Sequence, residues 1–329
     1  MQLRPAAARP PPAASSPPMT PTVTPLDGSV PDRAAPSRAP RGGLRRSQRR
    51  AGIAFALPII VLELALLALP IAQALYFSFT RWDGLQSTWV GIANYQRLFG
   101  DPTFWRVALN NLILLAAVPA AIFIPLLVAY LLNEHVFGWR FFRSAYFLPT
   151  AISWVVIGMV AVRFFSLEGI LNHTLQAFGL DVQTNMLGGE FTAMLAVAIT
   201  FIWSVFGTNT IIFITGMATL DREVYEAARV DGASAFTTFR KITVPMLMRF
   251  IQFAFILTLI TAFTALFSLI FVMTGGGPGY GTTTLEFYVY QQGFQVGVFG
   301  YAAAIGIVLF VIVFAVSLAQ LRIFRSALD

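Results

Sequence analysis

Residues 191–220, FTAMLAVAITFIWSVFGTNTIIFITGMATL, carry no charged side chain, whereas the next twenty-five, DREVYEAARVDGASAFTTFRKITVP (221–245), carry eight. The first run is long enough to cross a hydrocarbon core, which takes about 20 apolar residues. The second cannot follow it there. At roughly 2.5–3.5 kcal/mol per charge at mid-membrane, eight charges would cost on the order of 20 kcal/mol. Residues 221–245 therefore lie in water or against another protein, and the chain alternates between these two kinds of segment.

The composition agrees. The 329 residues are 57% hydrophobic and 11% charged, with a mean hydropathy of +0.72. Soluble domains carry roughly 25% charged residues. Six segments are long and apolar enough to span: roughly 53–79, 107–132, 144–165, 191–218, 246–274 and 296–320. The pattern predicts an all-α membrane protein of six transmembrane helices. The first segment differs from the others in holding Glu63, Pro58 and Pro70.

Residues 1–40 hold eleven of the nineteen prolines and eight alanines. Such a segment buries too little apolar surface to offset its ordering entropy. Residues 1–50 are thus expected to be a disordered tail ending in the basic cluster RGGLRRSQRR (41–50), with the six-helix domain occupying 51–329. The tail lacks the apolar core of a signal peptide. Its cluster suits electrostatic attraction to anionic lipid. Nucleic acid is not indicated, because nine of the 22 basic residues precede residue 51 instead of forming a patch on the body of the chain.

Lys and Arg near span ends favour the cytoplasmic side. With the N-terminus inside, fourteen such residues fall inside: Arg41, Arg45, Arg46, Arg49, Arg50, Arg140, Arg143, Arg222, Arg229, Arg240, Lys241, Arg249, Arg322 and Arg325. Only Arg81, Arg97, Arg106 and Arg163 fall outside. Both termini and the 219–245 loop are therefore expected in the cytoplasm.

Within that loop, Asp221 can cap a helix whose first turn holds Glu223, both favourable at the positive end of its dipole. Gly232 supplies the left-handed residue that closes many helices. A second piece, about 233–241, leads to Pro245, where the next span is expected to start. The Ala227–Ala228 pair permits close approach by a partner. On physical grounds alone, a solvated interhelical loop stands beside a docking elbow.

Cysteine is absent, which excludes disulfides and thiolate chemistry. His135 and His173, the two histidines, are far apart, so no metal site is expected. The glycine-rich TGGGPG (274–279) should end the fifth span, because glycine and proline cannot continue it. It lacks the Lys and following helix of a phosphate-binding loop. No catalytic residue and no cofactor bound by this chain are expected.

Polar groups inside spans are candidates for a solute path when they face the bundle interior. Asn110, Asn111, Ser153, Thr208, Asn209, Thr210, Thr261, Thr264 and Ser268 qualify, and Trp154 and Trp203 add flat apolar faces with an N–H. Sugar rings pack on such faces while their hydroxyls take hydrogen bonds. Interhelical glue is the competing role for each of these polar residues. Glu63 admits a different reading, an ion-coupled secondary carrier, although the other spans offer no second ionisable group at mid-span for a relay. A non-transporting scaffold is a further alternative.

The loop also resembles a known signature. EAA-x3-G-x9-I-x-L-P marks the permease subunits of binding-protein-dependent ABC importers, and here it reads Glu226-Ala227-Ala228, Gly232, Ile242 and Pro245, with Val244 in place of Leu. WVGIANYQRLFGDPTFWRVALNN (89–111), RSAYFLPTAIS (143–153), LEGILNHTLQAFGL (167–180) and TGGGPGYGTTTLEFYVYQQGF (274–294) are similar to segments of the sugar and glycerol-phosphate permeases, MalF-like in type. The resemblance covers 53–325. It implies a MetI/MalF-like type I importer permease fold in the bacterial cytoplasmic membrane, importing a carbohydrate or related solute. It further implies a second homologous permease subunit, two ATPase subunits that hold the ATP and Mg, and an external solute-binding protein. The coupling residues it implies are Glu226, Ala227, Ala228, Arg229, Asp231, Gly232, Ile242 and Pro245.

Overall fold

The computed structural model describes residues 52–53, 55–133, 148–180 and 183–326. The expected tail (1–50) with its arginine cluster, His135, Arg140, Arg143 and the opening residues of the third span lie outside these. Val61–Asp329 group as one compact unit, distinct from Met1–Ile60; apart from the first residues of the opening helix, the architecture below is that of the larger unit.

Among the described residues, five helical stretches are long and apolar enough to cross a membrane, or six if one bent pair counts as a span. The first, α1 (Phe55–Ser78), has a widened π turn at Leu64–Ala68, directly after Glu63. A short hairpin follows, β1 (Thr80–Trp82) paired antiparallel with β2 (Ser87–Trp89). Its turn is held by Asp83, whose Oδ1 accepts from the N–H of Leu85 at 2.9 Å and of Gln86 at 2.7 Å. This hairpin is the departure from an all-α chain. It rests on the last span, where the Thr80 carbonyl oxygen occupies the space a Cβ on Gly300 would need.

α2 (Ala93–Gly100) leads to the 32-residue α3 (Pro102–Asn133). Proline suits a first helical position because its missing N–H would be unpaired there anyway. Asp101, just before it, accepts from the Thr103 N–H at 2.8 Å, as a capping carboxylate does. Its other oxygen accepts from the hydroxyls of Tyr288 at 3.0 Å and Tyr301 at 3.1 Å. One side chain therefore ties the start of α3 to two later elements.

The expected third span departs from a continuous helix. Residues 148–151 make a single turn, the chain breaks at Ile152–Ser153, and α4 begins at Trp154. Ser153 is extended (ψ 150°) and its side chain accepts from the Val156 N–H at 3.4 Å. α4 (Trp154–Phe165) has 12 residues, about 18 Å at 1.5 Å each, short of a core of about 30 Å, and it reaches spanning length only with the residues that follow to Ala177. A turn at 166–169 separates it from α5 (Ile170–Ala177).

α6 (Glu190–Met217) is continuous and packs along α3. The loop helices α7 (Arg222–Val230) and α8 (Ala235–Met246) follow, and α8 meets α9 (Met248–Thr264) at a 73° bend. The fifth span thus starts at Met248, three residues beyond the expected Pro245. It is not one helix to residue 274 either, because α9 stops at Thr264 and α10 (Phe267–Met273) resumes after Ala265–Leu266. The glycines do end it as expected: Gly275 and Gly276 have φ of 59° and 87°. α11 (Leu285–Tyr290) and α12 (Phe299–Ser326) complete the fold.

The larger core cluster draws on α3, α4, α6, α9 and α10, around Leu114, Phe201, Phe213 and Leu269. A smaller one joins Leu98 and Phe104 to Tyr288, Tyr301 and Ile305. Both breaks, at Ile152–Ser153 and Ala265–Leu266, fall inside apolar runs. Irregular backbone at membrane depth is tolerated where protein covers it or it lines a water-filled cavity.

Candidate functional site

A cavity of about 240 Å³ opens between the two breaks. Pro149, Thr150, Ile152 and Trp154 supply one wall, Ser204, Val205, Thr208 and Asn209 of α6 a second, and Leu257, Thr258, Thr261 and Ala265 a third. None of the described residues lining it is ionisable. Two of its hydroxyls donate back along their own helices: Ser204 to the Phe201 carbonyl at 2.7 Å and Thr261 to the Leu257 carbonyl at 2.8 Å. With their protons directed into the backbone, these oxygens keep lone pairs with which to accept from a solute hydroxyl.

Asn209 is buried and its position has a traceable cause. α3 contains Pro125, which has no N–H and cannot bond the carbonyl four residues earlier, that of Ala121. Asn209 Nδ2 donates to this carbonyl at 2.8 Å. Thr258 Oγ1 of α9 lies 3.0 Å from the same nitrogen and 3.3 Å from Oδ1. One amide therefore links three spans at the cavity wall.

Of the sequence candidates, Trp154, Thr208, Asn209 and Thr261 come together here, with Ser153 capping α4 beside them. Asn110 and Asn111 do not. Asn110 donates to the carbonyls of Tyr280 at 2.7 Å and Thr283 at 2.9 Å, and Asn111 accepts from the Leu285 N–H at 2.8 Å, so both fasten the glycine-rich loop to α3. Trp203 faces a separate apolar hollow with Val160, Phe164 and Ile199. Thr210 donates to the Phe206 carbonyl and Thr264, exposed, to the Ile260 carbonyl. Ser268 sits half-buried on α10, and Glu63 is exposed on α1. Neither lines the cavity. Thr150, Ser204 and Thr258 line it without having been expected. Pro125, which orphans a carbonyl that some neighbouring polar group must serve, was a signal for Asn209; Thr258, whose hydroxyl bonds Asn209, had none.

The 219–245 loop forms the second feature. Asp221 occupies the cap position of α7 with extended backbone, but its side chain makes no capping bond, contrary to expectation; Glu223 does lie in the first turn. Gly232, at φ 75°, closes the helix. Ala233 N–H bonds the Ala228 carbonyl at 2.9 Å and Gly232 N–H the Arg229 carbonyl at 3.1 Å, the paired pattern of a glycine-terminated helix. Ser234 then caps α8, accepting from the Thr237 N–H at 3.3 Å.

The alanine pair divides: Ala228 is buried against the body, whereas Ala227 faces out with Glu226, Arg229 and Asp231. Ile242 is half-buried and Pro245 exposed. Two apolar side chains flank the turn in the open, Val230 at 88% and Phe236 at 70% exposure. The elbow is held from behind. Phe239 is buried against Tyr130 of α3 (ring centroids 5.1 Å apart), the Tyr130 hydroxyl donates to the Ala235 carbonyl at 3.3 Å, and Tyr225 meets Thr243 at 3.2 Å.

Residues 105–327 match the model of the family described as "Binding-protein-dependent transport system inner membrane component". The probable ABC transporter permease YurN of Bacillus subtilis is 35% identical over 279 residues, covering 83% of this chain and 95% of that protein. MsmF of Streptococcus mutans, a multiple sugar-binding transport system permease, is 32% identical over 84% of this chain and 95% of its own length. A lactose transport system permease, LacF of Rhizobium radiobacter, is 32% identical over 85% and 96%. Among solved structures, a bacterial ABC transporter involved in the import of the acidic polysaccharide alginate superposes with a TM-score of 0.73 at 24% identity, covering 86% of this chain and 98% of that one.

Proposed function

The chain belongs to the family of binding-protein-dependent transport system inner membrane components, and from that premise we propose that it imports a neutral carbohydrate through the cavity between its broken third and fifth spans. Membership makes it a multi-pass permease subunit of an ABC importer and not itself the enzyme. An ion-coupled carrier working through Glu63 is set aside by the same membership. The cargo reading is supported by the relatives named for sugars. The observation that carries it is the wall itself: hydroxyls, one anchored amide and the Trp154 face, with no ionisable group among the described residues. Hydroxyl acceptors and an aromatic face suit a sugar ring, and discontinuous helices near mid-membrane commonly frame transported solutes.

The termini and the 219–245 elbow face the cytoplasm, and the elbow docks on one of two ATPase subunits that bind ATP and Mg. A second, homologous permease subunit completes the pathway, and an external solute-binding protein delivers cargo to the opposite face. The exposed Val230 and Phe236, set among Glu226, Asp231, Arg240 and Lys241, support the docking role: apolar anchors ringed by charge are what a specific protein contact uses. ATP binding moves the elbow, and because α8 bears on α3, the movement reaches a helix that takes part in the Asn209 junction.

Thr261→Trp fills the cavity without touching the elbow. In proteoliposomes holding the complete complex and its binding protein, it should abolish ATP-dependent uptake of a panel of neutral mono- and disaccharides while basal ATP hydrolysis persists. Undiminished uptake with the indole in place would exclude the cavity as the route.

A further inference from the structure

The break in the fifth span frees two backbone donors. In an unbroken helix the N–H groups of Leu266 and Phe267 would bond the carbonyls of Ala262 and Phe263. Here both donate instead to one oxygen, Oε2 of Glu286, each at 3.1 Å. Leu266 is fully buried, so water does not serve its N–H, and an unpaired buried donor is costly. Ala265, one residue earlier, lines the cavity.

Glu286 is itself held on a rigid mount. It follows Thr284, which caps α11 by accepting from the Phe287 N–H at 3.4 Å, and Leu285, whose N–H is taken by Asn111. This mount is continuous with the glycine-rich loop that Asn110 fastens to α3. On its far side, α10 lies tight against α4, where a Cβ on Gly158 would stand 3.1 Å from Val272. The short helix between break and loop is thus fixed at one end by close packing and at the other by a single carboxylate.

We propose that Glu286 is a positioning residue for transport: its carboxylate sets the geometry of the Ala265–Leu266 break, making the glycine-rich loop and the cavity wall one mechanical unit. The proposal rests on the reading of the cavity as the solute route. Reach, not charge, is what it requires. Both bonds fall on one oxygen, so the carbonyl of a glutamine can keep them, whereas an aspartate, one methylene shorter, cannot.

The native chain has no cysteine, so Ala265→Cys provides a single reporter, probed with N-ethylmaleimide on the full complex in membranes. With Glu286→Ala the labelling rate should rise at least about fivefold, a threshold of about 1 kcal/mol that the loss of even one of the two bonds would reach. Glu286→Gln should stay within about twofold of the parent. Glu286→Asp should follow Glu286→Ala, and it supplies the reading if the alanine variant fails to accumulate. Unchanged labelling in Glu286→Ala, or a normal rate in Glu286→Asp with a raised one in Glu286→Gln, overturns the proposal. Sugar uptake is read in parallel: a raised labelling rate with unaltered uptake upholds the clamp and removes the cavity from the route, whereas unaltered labelling defeats the clamp whatever uptake does.

Discussion

The bond from Asn209 to the Ala121 carbonyl permits a sharp test, because the structure names both the need and its supplier. Interhelical hydrogen bonds in membranes average about 0.6 kcal/mol and reach about 1.7, since the separated helices find other partners. The Ala121 carbonyl has no such fallback: Pro125 denies it the usual intrahelical donor whether or not α3 and α6 are packed. Asn209→Leu should therefore cost near the upper figure, about 1.5 kcal/mol. Pro125→Ala restores the missing N–H, so in that background the same substitution should cost only about 0.6 kcal/mol, the ordinary share left by losing Thr258. The predicted coupling is about 1 kcal/mol, roughly fivefold in the unfolding equilibrium and outside the few tenths by which independent sites depart from additivity. Denaturant titration of the purified chain in mixed micelles, followed by helical circular dichroism for all four members of the cycle, measures it. Additive effects would refute the claim that proline and asparagine are a matched pair.

Two further outcomes follow from other parts of the molecule. Glu226→Lys reverses a charge on the outward face of α7, opposite the buried Ala228, so folding and membrane insertion should be unaffected. Copurification of the ATPase and coupled uptake should fall at least about tenfold, as when a like charge is placed in an interface; normal uptake would show that this face does not dock. At Asp101, burial opposes ionisation, but the Thr103 N–H and the Tyr288 and Tyr301 hydroxyls outweigh it and hold the carboxyl below its ordinary value. A lowered folded-state pKa gives stability that is present above the unfolded value of about 3.9 and lost as pH falls through the folded one. Asp101→Asn keeps a capping oxygen but puts an amide nitrogen where the second carboxylate oxygen accepted from both tyrosine hydroxyls, so it should flatten the acid limb of the pH–stability curve and lower neutral-pH stability by about 1 kcal/mol. An unchanged acid limb in thermal scans between pH 3 and 7 would contradict this.

The spans and the elbow were legible because they rest on local and strongly expressed signals. Charge-free runs cannot be water-exposed helices, and eight charges cannot be lipid-exposed. Gly232 sat where only a left-handed residue closes the helix, and its φ of 75° follows. What sequence could not place were the breaks. Ser153 read as a polar group in a continuous span, and its role as a cap depends on the chain leaving the helix at Ile152, which the cavity requires and no local propensity states. Ala265–Leu266 carries no breaker residue at all. Its interruption is supported from twenty residues away by Glu286, which local reading treated only as part of the loop segment. Asn110 and Asn111 were misplaced for the same reason: an asparagine on a span looks alike whether it meets solute or a loop carbonyl 170 residues later in the chain.

α3 touches both features that transport would need to couple. Towards the elbow end of α3, Tyr130 bears on Phe239, and about two turns back along the helix Ala121 accepts from Asn209 at the cavity. Pro125 lies between Tyr130 and Ala121, while Phe123, beyond the proline, meets the edge of the same Phe239 ring. A helix with a bond missing at that point would flex there and dissipate a push delivered at Tyr130, unless something outside the helix held the far side. Asn209 does hold it, from α6, and Thr258 of α9 braces Asn209 in turn. The bond absent from α3 has been moved to its neighbours, so bending α3 at Pro125 and shifting the cavity wall are the same motion. Coupling requires an element whose position both sites bias. Here the physical content is a single element, the α3 hinge, on which both sites act. Asn209→Leu should accordingly weaken sugar-stimulated ATP hydrolysis more than basal hydrolysis, because it separates wall from hinge while leaving the elbow docked. Equal loss of both rates would place the coupling elsewhere.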